Sequence, residues 1–105
     1  MADLFDTINA LIASPADLPT IERTLTDGYA HALALEGASR RIERRISEIT
    51  RGLGGGDATT QVDELAALSR RLDATTADLG RLREVLATLR RVADGVRLGS
   101  AESAA

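Results

Sequence analysis

Two long stretches of this chain place apolar or small side chains at steps that alternate strictly between three and four residues. In the first they are Leu18, Ile21, Leu25, Gly28, Ala32, Leu35, Ser39, Ile42, Ile46, Ile49 and Leu53. In the second they are Leu65, Leu68, Leu72, Thr75, Leu79, Leu82, Leu86, Leu89, Ala93 and Val96. Such alternation holds one stripe on one side of a slightly underwound helix, which is the seam of a coiled coil. Each run lasts about five heptads, more than the three or four that set a coiled coil apart from chance. Between the runs lies Gly52-Leu53-Gly54-Gly55-Gly56, a helix stop followed by a turn. So short a connection makes touching helices antiparallel. The expected fold is all-α: a long antiparallel helical hairpin, coiled-coil-like, with a short N-terminal helix packed at its open end. The expected boundaries within a single helical domain over 1–105 are a short helix at 2–13, a first long helix at 19–52 and a Gly-rich turn at 53–57. A second long helix follows at 58–98, then a disordered tail at 99–105.

Composition agrees with that fold and removes several chemistries. Ala supplies 18 and Leu 15 of the 105 residues, while Val appears four times, Phe and Tyr once each and Trp never. Strand-forming residues are too scarce for an all-β fold. Without Cys there is no disulfide framework, cysteine nucleophile or thiolate metal site. One His cannot build a multi-histidine metal centre. All 13 basic residues are Arg, so Schiff-base chemistry and a Walker A loop are excluded as well. No apolar run approaches the roughly 18 residues that span a bilayer. The opening residues carry Asp3 and Asp6 and no basic side chain, unlike a secretory signal. A cytoplasmic location is expected. The Arg-, Ala- and Gly-rich, Lys-free vocabulary is that expected of a high-GC bacterial genome.

Folding the chain about Gly54–Gly56 predicts which residues meet. Small side chains then face large ones: Ala32 with Leu79, Gly28 with Leu82, Ser39 with Leu72 and Thr75 with Leu35. The flanking pairs become Glu22 with Arg90, Tyr29 with Arg83, His31 with Asp78 and Arg45 with Glu64. None sets like charges together. Exposed pairs of this kind fix register more than they add stability. At the helix starts, Pro19 suits a first helical position. Asp57, Thr59 and Thr60 all offer N-caps, and Thr60-Gln61-Val62-Asp63 resembles a capping box.

A two-helix hairpin leaves half of each helix surface in water, so more surface must be covered. Residues 2–13 place Leu4, Phe5, Ile8, Leu11 and Ile12 at helical spacing. Folded back on the first long helix, this arm sets Phe5 near Gly28, whose missing side chain leaves a notch. Val85 and Val92 occupy consecutive seam-flanking positions where charge is usual, and suggest a second apolar stripe. Val62, Leu33 and Leu98 are further apolar positions off the seam. The arm and the valines are the expected interaction residues, and a homo-oligomer, dimer or higher, is the expected state.

The remaining motifs favour structure over chemistry. The Gly54–Gly56 run is followed by Asp57 rather than a basic residue, which suits a turn better than a phosphate cradle. His31 has Asp27 one turn before it but no nucleophile beside it. The residue three before His31 is Gly28, so the Glu-x-x-His motif of a di-iron bundle is absent. Arg40, Arg41, Arg44, Arg70 and Arg71 form a basic zone near the turn, a solvated face that could receive an acidic partner protein. It lacks the aromatic platforms of a nucleic-acid site, and the acidic 2–13 helix does not suit an anionic membrane surface. No catalytic residue, cofactor, metal, small-molecule substrate, nucleic acid or membrane partner is expected. The expected function is that of a non-enzymatic interaction or scaffold protein that self-associates through apolar helix faces. The alternative is an adaptor or secretion-type hairpin that binds a different protein. In size and shape the chain resembles the secreted WXG100 hairpins, whose hallmark is Trp-x-Gly in the turn. Here the turn reads Arg51-Gly52-Leu53-Gly54 and no Trp is present, so the likeness stops at size and shape.

Overall fold

The computed structural model describes the backbone of residues 2–52 and 57–104, with side chains as far as Gly99. Three helices account for it: α1 (Ala2–Ala13), α2 (Leu18–Thr50) and α3 (Ala58–Ala104). α2 and α3 pack together as a helical hairpin, and α1 packs on α3. The Gly-rich turn expected at 53–57 lies, but for Asp57, outside the described residues. Helix α3 continues to Ala104 through the stretch expected as a disordered tail. Gly99 alone is a weak breaker, and Ser, Ala and Glu after it are compatible with helix.

Both long helices start on the same local device. Asp17 caps α2: the Thr20 amide donates to its Oδ2 at 3.2 Å and the Thr20 hydroxyl to its Oδ1 at 2.8 Å. Asp57 caps α3, accepting the Thr60 amide at 2.7 Å. Aspartate followed three residues later by threonine is the shared signature, and it fills an otherwise unpaired amide of the first turn. These hydrogen bonds, to the Thr20 hydroxyl first for Asp17 and to the Thr60 amide first for Asp57, hold both carboxyls below the usual carboxylate value. Pro19 is therefore the second helical residue and Leu18 the first, one step earlier than expected. The capping box read at Thr60 is replaced by Asp57, because a carboxylate ahead of the helix reaches that amide directly. At its C-terminus α2 closes on Gly52, which adopts φ 77° and donates its amide to the Ile49 carbonyl at 2.9 Å. Only glycine takes that conformation without steric cost.

The chain divides into two compact units, Met1–Ala32 with Gly80–Ala105, and Leu33–Leu79. In the first, the seams of α2 and α3 close around Ile21, Leu82, Leu86 and Leu89, and Ile8 and Ile21 are completely buried with Leu82 and Leu89. The register is marked at Gly28. A Cβ built there would lie 2.3 Å from Leu86 Cδ2, so Leu86 occupies the space of the missing side chain. Heptad steps from this contact set Leu25 against Leu89 and Ile21 against Ala93, all of them buried.

Helix α1 lies on one flank of this seam. Arg81 on α3 places its guanidinium 5.4 Å from the centre of the Phe5 ring. One, two and three turns along the same face of α3, Val85, Thr88 and Val92 are half-buried. Thr24, at a flanking position of α2, is buried too. The short linker after Ala13 turns α1 antiparallel to α2, hence parallel to α3. The arm does pack at the open end as expected, but Phe5 does not fill the Gly28 notch. Leu86 is already there, and Phe5 sits half-buried against Arg81.

In the second unit the seam is an aliphatic cluster of Ile42, Ile49 and Leu68, with Ile46, Leu65 and Leu72 packed on it. One further heptad step sets Ser39 opposite Thr75, two small polar residues in one layer rather than each against a leucine. The Ser39 hydroxyl is buried without a hydrogen-bond partner among the described residues. Thr75 satisfies its own hydroxyl by donating to the Arg71 carbonyl at 2.8 Å. An orphaned buried hydroxyl costs ~1–3 kcal/mol. Ser39→Ala is therefore expected to raise stability by about 1 kcal/mol. Urea denaturation of the two proteins measures the difference, and a loss of stability would show that the hydroxyl has a partner after all.

Candidate interaction surfaces

The flank of the first unit opposite α1 carries an open cleft of about 300 Å³. Its floor is Leu25 and Ala93, both from the seam, and its rim is Glu22, Thr26, Tyr29, Arg90 and Arg97. Arg97 donates to Glu22 Oε1 at 2.6 Å and to Asp94 Oδ1 at 3.2 Å. Arg90 makes a long hydrogen bond of 3.4 Å to the Tyr29 hydroxyl. That hydroxyl, ahead of Asp94, raises the Arg90 guanidinium above its ordinary value. Tyr29 remains 41% exposed, so its ring is available beside two guanidinium groups.

These contacts correct the expected flanking pairs. Glu22 meets Arg97 rather than Arg90, and Tyr29 meets Arg90 rather than Arg83. Both partners lie one heptad further along α3. The cause is the seam itself: Gly28 lies against Leu86, one turn beyond Leu82. In the second unit the expected pair forms as read, with Arg45 Nε donating to Glu64 Oε1 at 2.8 Å. Arg45 also reaches Glu48 at 3.4 Å. The Glu64 bond is the main reason that its guanidinium is raised above the ordinary value.

The expected interaction residues are accounted for as follows. Ile8 and Leu11 are buried, and Leu4, Phe5, Ile12, Val85 and Val92 are half-buried. All seven belong to the first unit, where α1 lies along the valine face. The apolar stripe expected to meet another subunit is thus partly covered within the chain, where α1 packs on α3. Arg40, Arg41, Arg44, Arg70 and Arg71 are all exposed in the second unit. Arg40, Arg41 and Arg44 share the outer side of α2, whereas Arg70 and Arg71 belong to α3. Arg97 went unnoticed in the sequence, although Arg83, Arg90 and Arg97 recur every seven residues and mark a flank.

Among the described residues no group of three or more His, Cys, Asp or Glu side chains could hold a metal ion. No described helix is long and apolar enough to cross a membrane. No known protein family, curated protein or solved structure matches this chain.

Proposed function

We propose that this protein is a non-enzymatic helical interaction module that docks a different protein partner. The observation that carries this reading is the cleft at Tyr29. Tyrosine and arginine are the residue types that most often anchor protein interfaces, and here they border an apolar floor. The ion pairs of Arg97 hold the rim in place before a partner arrives, which lowers the ordering cost of binding. Self-association is the second reading. It is favoured by Leu33, Val62 and Leu98, which are 65%, 64% and 66% exposed. Val85 and Val92 lend it less, since they are half-buried in the unit where α1 packs on α3.

Light scattering on the purified protein separates the two. A mass of 11.1 kDa is expected. A dimer mass that Tyr29→Ala returns to the monomer would assign the cleft to self-association. A dimer that survives Tyr29→Ala would remove the cleft from the account.

A further inference from the structure

The outer side of α2 in the second unit gathers three exposed arginines, Arg40, Arg41 and Arg44. Arg40 and Arg44 are four residues apart, Arg41 and Arg45 likewise, and Arg41 and Arg44 three apart. Like charges at these spacings destabilise a helix. Of the four, Arg45 is neutralised by Glu64 and Glu48. Arg40, Arg41 and Arg44 are exposed, and no ion pair joins them among the described residues. Glu36 and Glu43, seven residues apart, border this face on one side, so its positive charge is offset in part along the helix.

The same face continues toward the N-terminus of α2 as an apolar strip. Leu33 is 65% exposed, Ala34 is exposed and Gly37 follows one turn on. The Arg41 guanidinium lies close above Gly37, with Nη1 3.4 Å from where a Cβ would stand. With no side chain at Gly37, the Arg41 side chain lies down along the helix there. From Leu33 to Arg44 the face is about 17 Å long at ~1.5 Å per residue, the length of three helical turns.

We propose that this face, Leu33 through Arg44, docks an acidic amphipathic helix of a partner protein. The partner's apolar residue rests on Leu33 and Ala34, and its carboxylates take the Arg40, Arg41 and Arg44 guanidinium groups. Guanidinium forks match carboxylates in two-point hydrogen bonds, and such charge-assisted bonds are the stronger kind. A nucleic acid fits less well. The only aromatic residues, Phe5 and Tyr29, belong to the other unit, so no stacking platform for bases stands beside these arginines. The proposal rests on reading the chain as an interaction module and adds a second surface, with its partner's chemistry.

The probe is a fluorescent helical peptide bearing Glu at three- and four-residue spacing beside one Leu stripe, titrated with the full chain and followed by anisotropy. Its Gln counterpart and a short DNA duplex serve as comparisons. Binding of the Glu peptide, weakened about tenfold or more by Arg40→Gln with Arg44→Gln and also weakened by Leu33→Ser, is expected. It should fall with added salt, since screening shortens the reach of exposed charges, and the Gln peptide should not bind. Circular dichroism of each variant confirms that the helices persist, so loss of binding is not loss of fold. Equal or tighter binding of the duplex overturns the proposal, as does Glu-peptide binding unchanged by the arginine variants. If that binding is instead lost on Tyr29→Ala, the module reading stands and this face is wrong. If the wild-type chain binds no peptide, this proposal fails while the test at the Tyr29 cleft remains independent.

Discussion

Ile8→Ala is expected to lower the unfolding free energy by ~2–5 kcal/mol, the usual range for emptying a fully enclosed aliphatic site. Ile8 is 0% exposed although it stands on a helix of 12 residues at the chain start. A helix that short is marginal by itself in water, so its order comes from docking. The loss should appear as a lower urea midpoint in equilibrium unfolding followed by circular dichroism. Asn9→Ala, at an exposed neighbour, should change stability by no more than about 0.5 kcal/mol. If Ile8→Ala and Asn9→Ala behave alike, α1 is not part of the folded core and the cis packing described above is wrong.

Gly28→Ala is expected to destabilise by ~1–3 kcal/mol, the range for overpacking a filled core, even though Ala exceeds Gly by about 1 kcal/mol in helix propensity. The added carbon would meet Leu86 Cδ2 at 2.3 Å, with Cγ and Cδ1 of the same side chain at 3.3 and 3.4 Å. Leu86 is 2% exposed, so it gives way only by repacking against its buried neighbours. Shortening the opposing side chain should remove the conflict. Leu86→Ala alone leaves a cavity, and the pair Gly28→Ala with Leu86→Ala should be less damaged than the sum of the singles. Residues in contact give such coupling, of ~0.5–3 kcal/mol. Additive effects measured by urea denaturation would place Gly28 and Leu86 apart.

The heptads were legible because burial forces a period onto the sequence, and both long helices follow the 3-4 steps. The Asp-x-x-Thr caps were half legible. Asp57 was among three candidates, Asp57, Thr59 and Thr60, each able to accept from amides two or three residues further on, and nothing in the sequence ranks one start above the others. Register was harder. A seam made mostly of leucine reads nearly the same after a slip of one turn, and only a residue unlike its neighbours can fix it. Gly28 is that residue, yet its partner depends on where the turn is centred. Arg45 with Glu64 came out as read, whereas Glu22 and Tyr29 found partners one heptad away. The arm showed its apolar side through Ile8 and Leu11, but not which groove would receive it. Buried Thr24 is the trace of that groove. A threonine flanking the seam reads as a surface residue until a third helix is laid over it. Val85 and Val92 stand out in the sequence as apolar residues at seam-flanking positions, and both are half-buried. The sequence could not say that the chain's own arm would partly cover them.

The account depends most on α2 and α3 of one chain meeting with Gly28 against Leu86. Because the protein contains no cysteine, a pair of introduced cysteines reports on one contact only. Gly28→Cys with Leu86→Cys should oxidise to a disulfide within one chain, since Leu86 Cγ, whose place a cysteine sulfur would take, lies 3.3 Å from where the Gly28 Cβ would stand. Gly28→Cys with Leu82→Cys, the partner expected from folding about Gly54–Gly56, should remain reduced under the same conditions. Non-reducing electrophoresis with mass spectrometry of the linked peptides reads both. Linkage of 28 to 86 at the mass of a single chain is the predicted result. Linkage of 28 to 82 instead, or linkage of 28 to 86 only between two chains, would contradict it.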